Sequence, residues 1–131
     1  MTNQQIIEQM YHCFAAGDMQ GVIATFSEDA VWLEPGEPDI PFGGTFTGIA
    51  GISQMLAIEA KTIHVKTFVP KTFCTNENTV VVLGHDIVDV LPTGKTYTTE
   101  WVQAFTLANG KITNVQVYMD TNAIAKAFKA E

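Results

Sequence analysis

The sequence predicts an α+β fold in which three N-terminal helices pack on one antiparallel sheet. Apolar residues recur at helical spacing up to about residue 60, and from His64 onward valine-rich alternating runs are separated by turn signals. The 131 residues match the length of one ordinary domain, and no linker or repeat divides them. We therefore expect a single domain over residues 1–131.

Three helices are predicted in the first half of the chain. The first covers residues 4–16, where one apolar stripe contains Ile6, Ile7, Met10, Tyr11 and Phe14. Gly17 and Asp18 end this helix, and Asp18 is suited to cap the second helix. The second helix carries Val22, Ile23 and Phe26 and ends near residues 27–29. The third covers residues 49–60, with an apolar face of Ile52, Met55 and Leu56.

The strands are predicted from alternation and from the turns between them. A short strand over residues 30–34 stops at Pro35, and the glycines and prolines of residues 35–44 indicate a loop. Further strands are expected at residues 64–73, 79–91, 95–107 and 111–119, with an Asn-Gly hairpin turn before the last. Residues 122–130 predict a short terminal helix.

Composition narrows the range of partners. The net charge is -7, with seven lysines and no arginine, which argues against nucleic acid and polyanionic substrates. No run of 18 apolar residues and no basic, apolar leader is present, so we expect no membrane span and a cytoplasmic location. The scattered histidines form no metal-ligand spacing, and we expect no metal and no cofactor. Cys13 and Cys74 are expected to be buried thiols.

Glu34 is the leading candidate for chemistry. It shares one face of its predicted strand with Trp32, because residues two apart point the same way. A carboxyl beside an apolar wall is costly to ionise, so its pKa rises and it becomes useful as an acid or base. The alternative is a glutamate in water at a strand end.

Six short motifs, in order along the chain, resemble the nuclear transport factor 2-like superfamily, in its ketosteroid isomerase-like and SnoaL-like branch. They are Ala16-Gly17-Asp18-Met19, Phe26-Ser27-Glu28-Asp29-Ala30-Val31-Trp32, Pro41-Phe42-Gly43-Gly44-Thr45-Phe46-Thr47-Gly48, Thr93-Gly94-Lys95, Asn109-Gly110-Lys111-Ile112 and Tyr118-Met119-Asp120-Thr121. The resemblance implies the cystatin-like, cone-shaped fold, a pocket between the helices and a curved sheet, and a homodimer formed through the sheet's other face.

The resemblance also implies roles for individual residues. Glu34 falls at the base position of the ketosteroid isomerases, and Pro35 matches too. The oxyanion-binding tyrosine position falls on Met10, with Tyr11 one residue further round the helix, and the sheet acid position falls on Gln103. An amide is a neutral donor that can bind an oxyanion. These changes argue against steroid isomerisation and leave a general-base reaction on another small substrate.

Other polar residues leave alternatives. Asp86 aligns with a pocket-lining position and would form a carboxyl pair with Glu34, whereas a bulge in its strand would turn His85 inward instead. SnoaL-like cyclases carry an acid in the last strand, where this chain has Val117. Asp120 either reaches the pocket mouth or caps the last helix, which we favour. His12 is expected to be solvated.

The expected wall is apolar and consists of Trp32, Phe42, Met55, Trp101, Phe105, Val115, Val117 and Met119. Such a wall favours a small apolar or aromatic ligand with few polar anchors. Three hypotheses about the function follow. The chain is a cofactor-independent enzyme of isomerase, cyclase or lyase type, with Glu34, Gln103, Asp86 and Tyr11 as catalytic residues. Alternatively, it is a non-catalytic binder of a hydrophobic metabolite, or a dimerisation scaffold.

Overall fold

A computed structural model of the chain describes residues 1–130. Its elements, in chain order, are α1 (Asn3–Ala15), α2 (Met19–Ile23), β1 (Phe26–Glu34), β2 (Gly44–Thr47), α3 (Gly48–Thr62), β3 (Ile63–Asn76), β4 (Thr79–Val90), β5 (Thr96–Ala108), β6 (Lys111–Tyr118) and α4 (Thr121–Phe128). The α+β class and the three helices before the main run of strands are confirmed.

The strands form one curved sheet in the order β2-β1-β6-β5-β4-β3. Four neighbouring pairs are antiparallel, but β1 and β6 run parallel, so the wholly antiparallel sheet predicted from the sequence is wrong in one pairing. A parallel pair needs a long crossover, and the chain between β1 and β6 supplies it with α3 and four strands. This pairing places the end of β1 next to the last strand.

The helix boundaries follow from local capping. Thr2 and Gln5 form a reciprocal capping box that starts α1, with the Gln5 amide 3.1 Å from Thr2 Oγ1. Asp18 caps α2 as predicted, and its Oδ1 accepts from the Gly21 amide at 2.9 Å. Helix α2 ends at Ile23, earlier than predicted, because Phe26 already belongs to β1 and is paired with Ile112 of β6.

The segment predicted as a loop and helix entry contains the short strand β2. Glu34 pairs with Gly44 and Trp32 pairs with Phe46, so β2 covers the edge of β1 at the position of Glu34. Gly44, which pairs with Glu34, has a φ of 130°, a value that residues other than glycine rarely adopt. The glycine therefore allows the chain to turn into β2 at this position.

Alternate residues of β4 and β5 point towards the helices, and their depth decides their role. At one end of these strands Val80, Val82, Phe105 and Leu107 are fully buried and form the main core with α1 and β6. Towards the other end the same faces carry Asp86, Tyr97 and Trp101, which line a cavity. The sheet and helices therefore enclose a packed end and a hollow end.

Both cysteines are free thiols. Cys13 is buried in α1 as predicted, but Cys74 is exposed, which corrects the prediction for that residue. Cys74 lies on β3, one of the two edge strands of the sheet, where one side of the strand has no neighbour. Among residues 1–130, no helix has the length and apolar character needed to cross a membrane.

Candidate functional site

A cavity of about 820 Å³ lies between the helices and the concave face of the sheet. Most of its lining is apolar, and the helices α1, α2 and α3 and the strands β1, β3, β4 and β5 contribute to it. The sequence-predicted site residues that line it are Tyr11, Trp32, Glu34, Phe42, Asp86, Trp101, Gln103 and Met119. A cavity of this size and character suits a small organic ligand.

Four residues expected on the cavity wall are placed elsewhere. Met55, Phe105 and Val117 are almost completely buried in the core and do not line the cavity. Val115 is buried in the same way. Their inward direction follows from strand and helix periodicity, but periodicity does not determine depth along the cone. They belong to the packed core instead.

Glu34 ends β1 with its side chain in the cavity wall, and it is only 7% exposed. The Trp32 indole Nε1 donates to Glu34 Oε1 at 2.7 Å, which shows that the two residues share one face of the strand. Burial raises the pKa of Glu34 well above its ordinary value, and the negative charges of Glu59 and Asp86 add to this, while the Trp32 bond opposes it. Glu34 Oε2 accepts no hydrogen bond from the described residues, and it is not among the fully buried polar atoms.

Asp86, not His85, faces the cavity. The Thr99 hydroxyl donates to Asp86 Oδ1 at 2.6 Å, and burial raises the pKa of Asp86 against the opposing effect of that bond. His85 points to the other face of the sheet, where its Nδ1 pairs with Glu100 Oε2. The strand therefore runs without the bulge that would have turned His85 inward.

Glu59 is a third carboxyl in the cavity wall, and the sequence analysis missed it. It lies on α3, four residues after Met55 and three after Leu56, so it continues the apolar face of the helix. A carboxyl on that face is the signal that would have identified it. Burial, followed by the charge of Asp86, raises the pKa of Glu59 from 4.5 to about 7.

Tyr11 and Gln103 form a polar pair on the same cavity. The Tyr11 hydroxyl donates to Gln103 Oε1 at 2.7 Å, and both residues are buried. This bond uses the amide oxygen and leaves the amide N–H groups of Gln103 available as neutral donors. Met10, at the position where a tyrosine was expected by resemblance, also lines the cavity but offers no donor.

Tyr97 shows how closely the three carboxyls are grouped. Burial raises its pKa, and the negative charges of Asp86, Glu59 and Glu34 raise it further, in that order. All three carboxyls therefore act on one hydroxyl of β5. No lysine or histidine of the described residues lines the cavity.

Trp101 lines the cavity close to Tyr11, with the two ring centroids 6.1 Å apart. Its ring stacks on Phe68 with centroids 4.7 Å apart, and its other edge lies directly over Gly84. A Cβ on Gly84 would be 2.1 Å from Trp101 Cζ2, so β4 accepts the indole only because residue 84 has no side chain. Trp101 Nε1 is the one buried side-chain polar atom of the described residues without a hydrogen-bond partner.

The stability of the fold is expected to fall as pH rises from about 5 to 8. The pKa values of Glu34, Glu59 and Asp86 are raised in the folded state. Over this pH range the folded protein therefore keeps protons that the unfolded chain has lost, and its stability falls as the pH rises. For Glu59, the difference between 4.5 and about 7 corresponds to roughly 3 kcal/mol at most. Urea unfolding at several pH values measures this trend.

A matched pair of variants separates the cavity acids from the rest of the chain. Glu59→Gln should flatten the pH dependence between pH 5 and 8, whereas Glu8→Gln, an exposed carboxyl on α1, should leave it unchanged. A free energy of unfolding that is constant or rises over this range would contradict the retention of protons by the cavity carboxyls.

The remaining polar candidates are structural or solvated. Asp120 caps α4, and its Oδ1 accepts from the Ala123 amide at 3.0 Å, in agreement with the favoured prediction. His12 is exposed on α1. Within the described residues, no three His, Cys, Asp or Glu side chains are arranged to hold a metal ion.

Comparison with known proteins gives the family. The SnoaL-like domain model matches residues 7–115. An NTF2-like protein from Burkholderia xenovorans LB400 is 31% identical, with a TM-score of 0.88 over 97% of this chain and 95% of that one. TerC, co-crystallised with polyporic acid, is 27% identical, with a TM-score of 0.81 over 96% and 97%.

A protein from Xanthomonas campestris described as having a cystatin-like fold shows the same architecture, with 20% identity and a TM-score of 0.85 over the full length of both chains. No curated protein matches this sequence. The resemblance seen in the sequence motifs is thus confirmed by the family match and by the structures. The chain belongs to the SnoaL-like family of the NTF2-like superfamily.

Proposed function

We propose that this chain binds a small apolar carbonyl compound and catalyses proton transfer on it, as an isomerase, cyclase or lyase that needs no cofactor. The observation that carries the proposal is Glu34. It is a buried carboxyl that lines an apolar cavity of about 820 Å³. Its Oε1 accepts a hydrogen bond from Trp32, and its Oε2 accepts none from the described residues. The similar structure of TerC, co-crystallised with polyporic acid, supports a small organic ligand for a protein of this fold.

In the proposed step, ionised Glu34 removes a proton from the carbon next to the carbonyl, and the electrons of that C–H bond move to the carbonyl oxygen. Neutral hydrogen-bond donors would stabilise the resulting enolate. The amide N–H groups of Gln103, whose Oε1 accepts from the Tyr11 hydroxyl, are the candidates for this role. The proton then returns from Glu34 to another carbon. Glu59, with a pKa of about 7, is suited to exchange protons with Glu34 at neutral pH.

One observation favours a non-catalytic binder of a hydrophobic metabolite as the second candidate. The Tyr11 hydroxyl already donates to Gln103, so its proton is not free for a substrate oxygen. A ligand held by the apolar wall and by one bond to Glu34 would need no electrophile. The two candidates share the cavity and differ only in turnover.

Hydrogen–deuterium exchange at carbon distinguishes them. The protein is incubated in D₂O with 2-indanone and 2-tetralone, and loss of the signal of the C–H groups next to the carbonyl is followed by proton NMR. An enzyme of the proposed type accelerates this exchange above the buffer rate. A binder shifts the ligand resonances and leaves the exchange rate at the buffer value, which would overturn the catalytic proposal.

The family resemblance also suggests a homodimer, and the outer face of the sheet has an apolar row that supports it. Leu83, Val102 and Tyr118 are direct neighbours across β4, β5 and β6, and Leu83 and Tyr118 are 43% and 57% exposed. This row lies opposite the cavity, so a dimer formed here would leave the site accessible.

Replacing Leu83 by glutamate is expected to convert the dimer to a monomer, because it puts a charge in the centre of the apolar row. Leu91→Glu is the matched control, since Leu91 is 53% exposed but lies after β4, outside the row. Light scattering after size-exclusion chromatography gives the mass of each variant. A wild-type protein that is monomeric at micromolar concentration would contradict the dimer.

A further inference from the structure

The ionisable groups on the cavity wall have one sign only. They are Tyr11 on α1, Glu34 on β1, Glu59 on α3, Asp86 on β4 and Tyr97 on β5. Neither lysine nor histidine is found among the lining residues that the structure describes. A ligand entering the cavity therefore meets carboxyls without any neutralising protein cation, and an anionic ligand is repelled once these carboxyls are ionised.

The carboxyls outnumber what proton transfer requires. One base and one acid are enough for such a reaction, and this cavity holds three carboxyls. Glu34 is more than nine-tenths buried and its Oε2 is unpartnered, while Asp86 uses Oδ1 to accept from Thr99. A buried carboxylate is stable when it is paired, and no described lysine lies within ion-pair distance of Glu34, Glu59 or Asp86.

The walls also suit an organic cation. Trp32, Tyr97 and Phe68 line the same cavity as the carboxyls, and aromatic faces attract ammonium groups. Trp32 combines both features, because its Nε1 holds Glu34 while its ring forms part of the wall. The net charge of -7 would also draw a cation towards the protein.

We infer that the ligand of this cavity is a small aromatic or apolar amine, bound as its ammonium ion with the charge beside Glu34 and Glu59. This inference rests on the proposed function in using the same cavity, and it narrows the substrate to a carbonyl compound that carries an amino group. An acidic ligand, such as the one crystallised with TerC, would bring a like charge to this cavity.

Three indole compounds of nearly equal shape test the charge preference by calorimetry: tryptamine, tryptophol and indole-3-propionate. At about pH 8, tryptamine should bind at least about tenfold more tightly than neutral tryptophol, and indole-3-propionate should bind more weakly than both. Tryptamine stays protonated from about pH 6 to 8, so its affinity should rise over this range as Glu59 ionises, whereas that of tryptophol should not.

Variants locate the effect. Glu34→Gln and Glu59→Gln should each reduce the preference for tryptamine over tryptophol, and retained tryptophol binding would show that the cavity is intact. The exposed Glu8→Gln should behave as wild type. Tryptophol binding as tightly as tryptamine, or tryptamine failing to bind at millimolar concentration, would overturn the amine ligand and leave ketone exchange standing. Tryptamine binding without exchange of any ketone would overturn only the proposed reaction.

Discussion

Replacing Glu34 by glutamine is expected to slow carbon-bound hydrogen exchange in a bound ketone by about a hundredfold to ten-thousandfold, the usual contribution of a general base. Glutamine keeps the size of the side chain, and its Oε1 still accepts from Trp32 Nε1. What it removes is the ability to take a proton. The proton NMR exchange assay with 2-indanone measures the loss directly.

The controls for this variant use the other carboxyls. Glu8→Gln, on the exposed side of α1, should leave the exchange rate unchanged. If Glu34→Gln binds 2-indanone with unchanged affinity, the cavity is still formed in that variant. Glu59→Gln should slow exchange less than Glu34→Gln. In the proposed reaction Glu34 takes the proton from the substrate, whereas Glu59 only exchanges protons with Glu34. Full activity in Glu34→Gln would mean that the base is Asp86 or Glu59.

Strand periodicity predicted directions from the sequence. Trp32 and Glu34 share a face and are joined by a hydrogen bond, and Trp101 and Gln103 both point into the cavity. Depth was not predictable in this way, since Phe105 continues the same face of β5 but lies in the packed core. The position of the boundary between core and cavity depends on how the helices cover the sheet, which no local pattern encodes.

The errors in the fold prediction come from contacts between distant residues. Phe26 follows Val22 and Ile23 at helical spacing, yet its pairing with Ile112 draws it into β1. The parallel pairing of β1 with β6 is likewise a contact between segments far apart in sequence. Glu59 is a different case, because its place on the apolar face of α3 was visible in the sequence.

Gly84→Ala is expected to destabilise the protein by about 3 kcal/mol or more, the upper range for overpacking a core. The new Cβ would be 2.1 Å from Trp101 Cζ2 and 2.4 Å from Cε2, distances that real side chains essentially never show. Trp101 is 2% exposed and stacked on Phe68, so the ring has little room to move away. Thermal unfolding should show a midpoint lower by roughly 10 °C.

A double-mutant cycle assigns this cost to the indole ring. In a Trp101→Leu background, Gly84→Ala should cost less than about 1 kcal/mol, because the shorter side chain leaves space for a methyl group above β4. An equal cost in both backgrounds would place the effect in the backbone of β4 instead. If the ring does move in Gly84→Ala, it moves off β4 towards Phe68 and the cavity, so tryptophol affinity should fall together with stability. The absent side chain at Gly84 thus helps to set both the stability of the sheet and the volume of the cavity that faces Glu34.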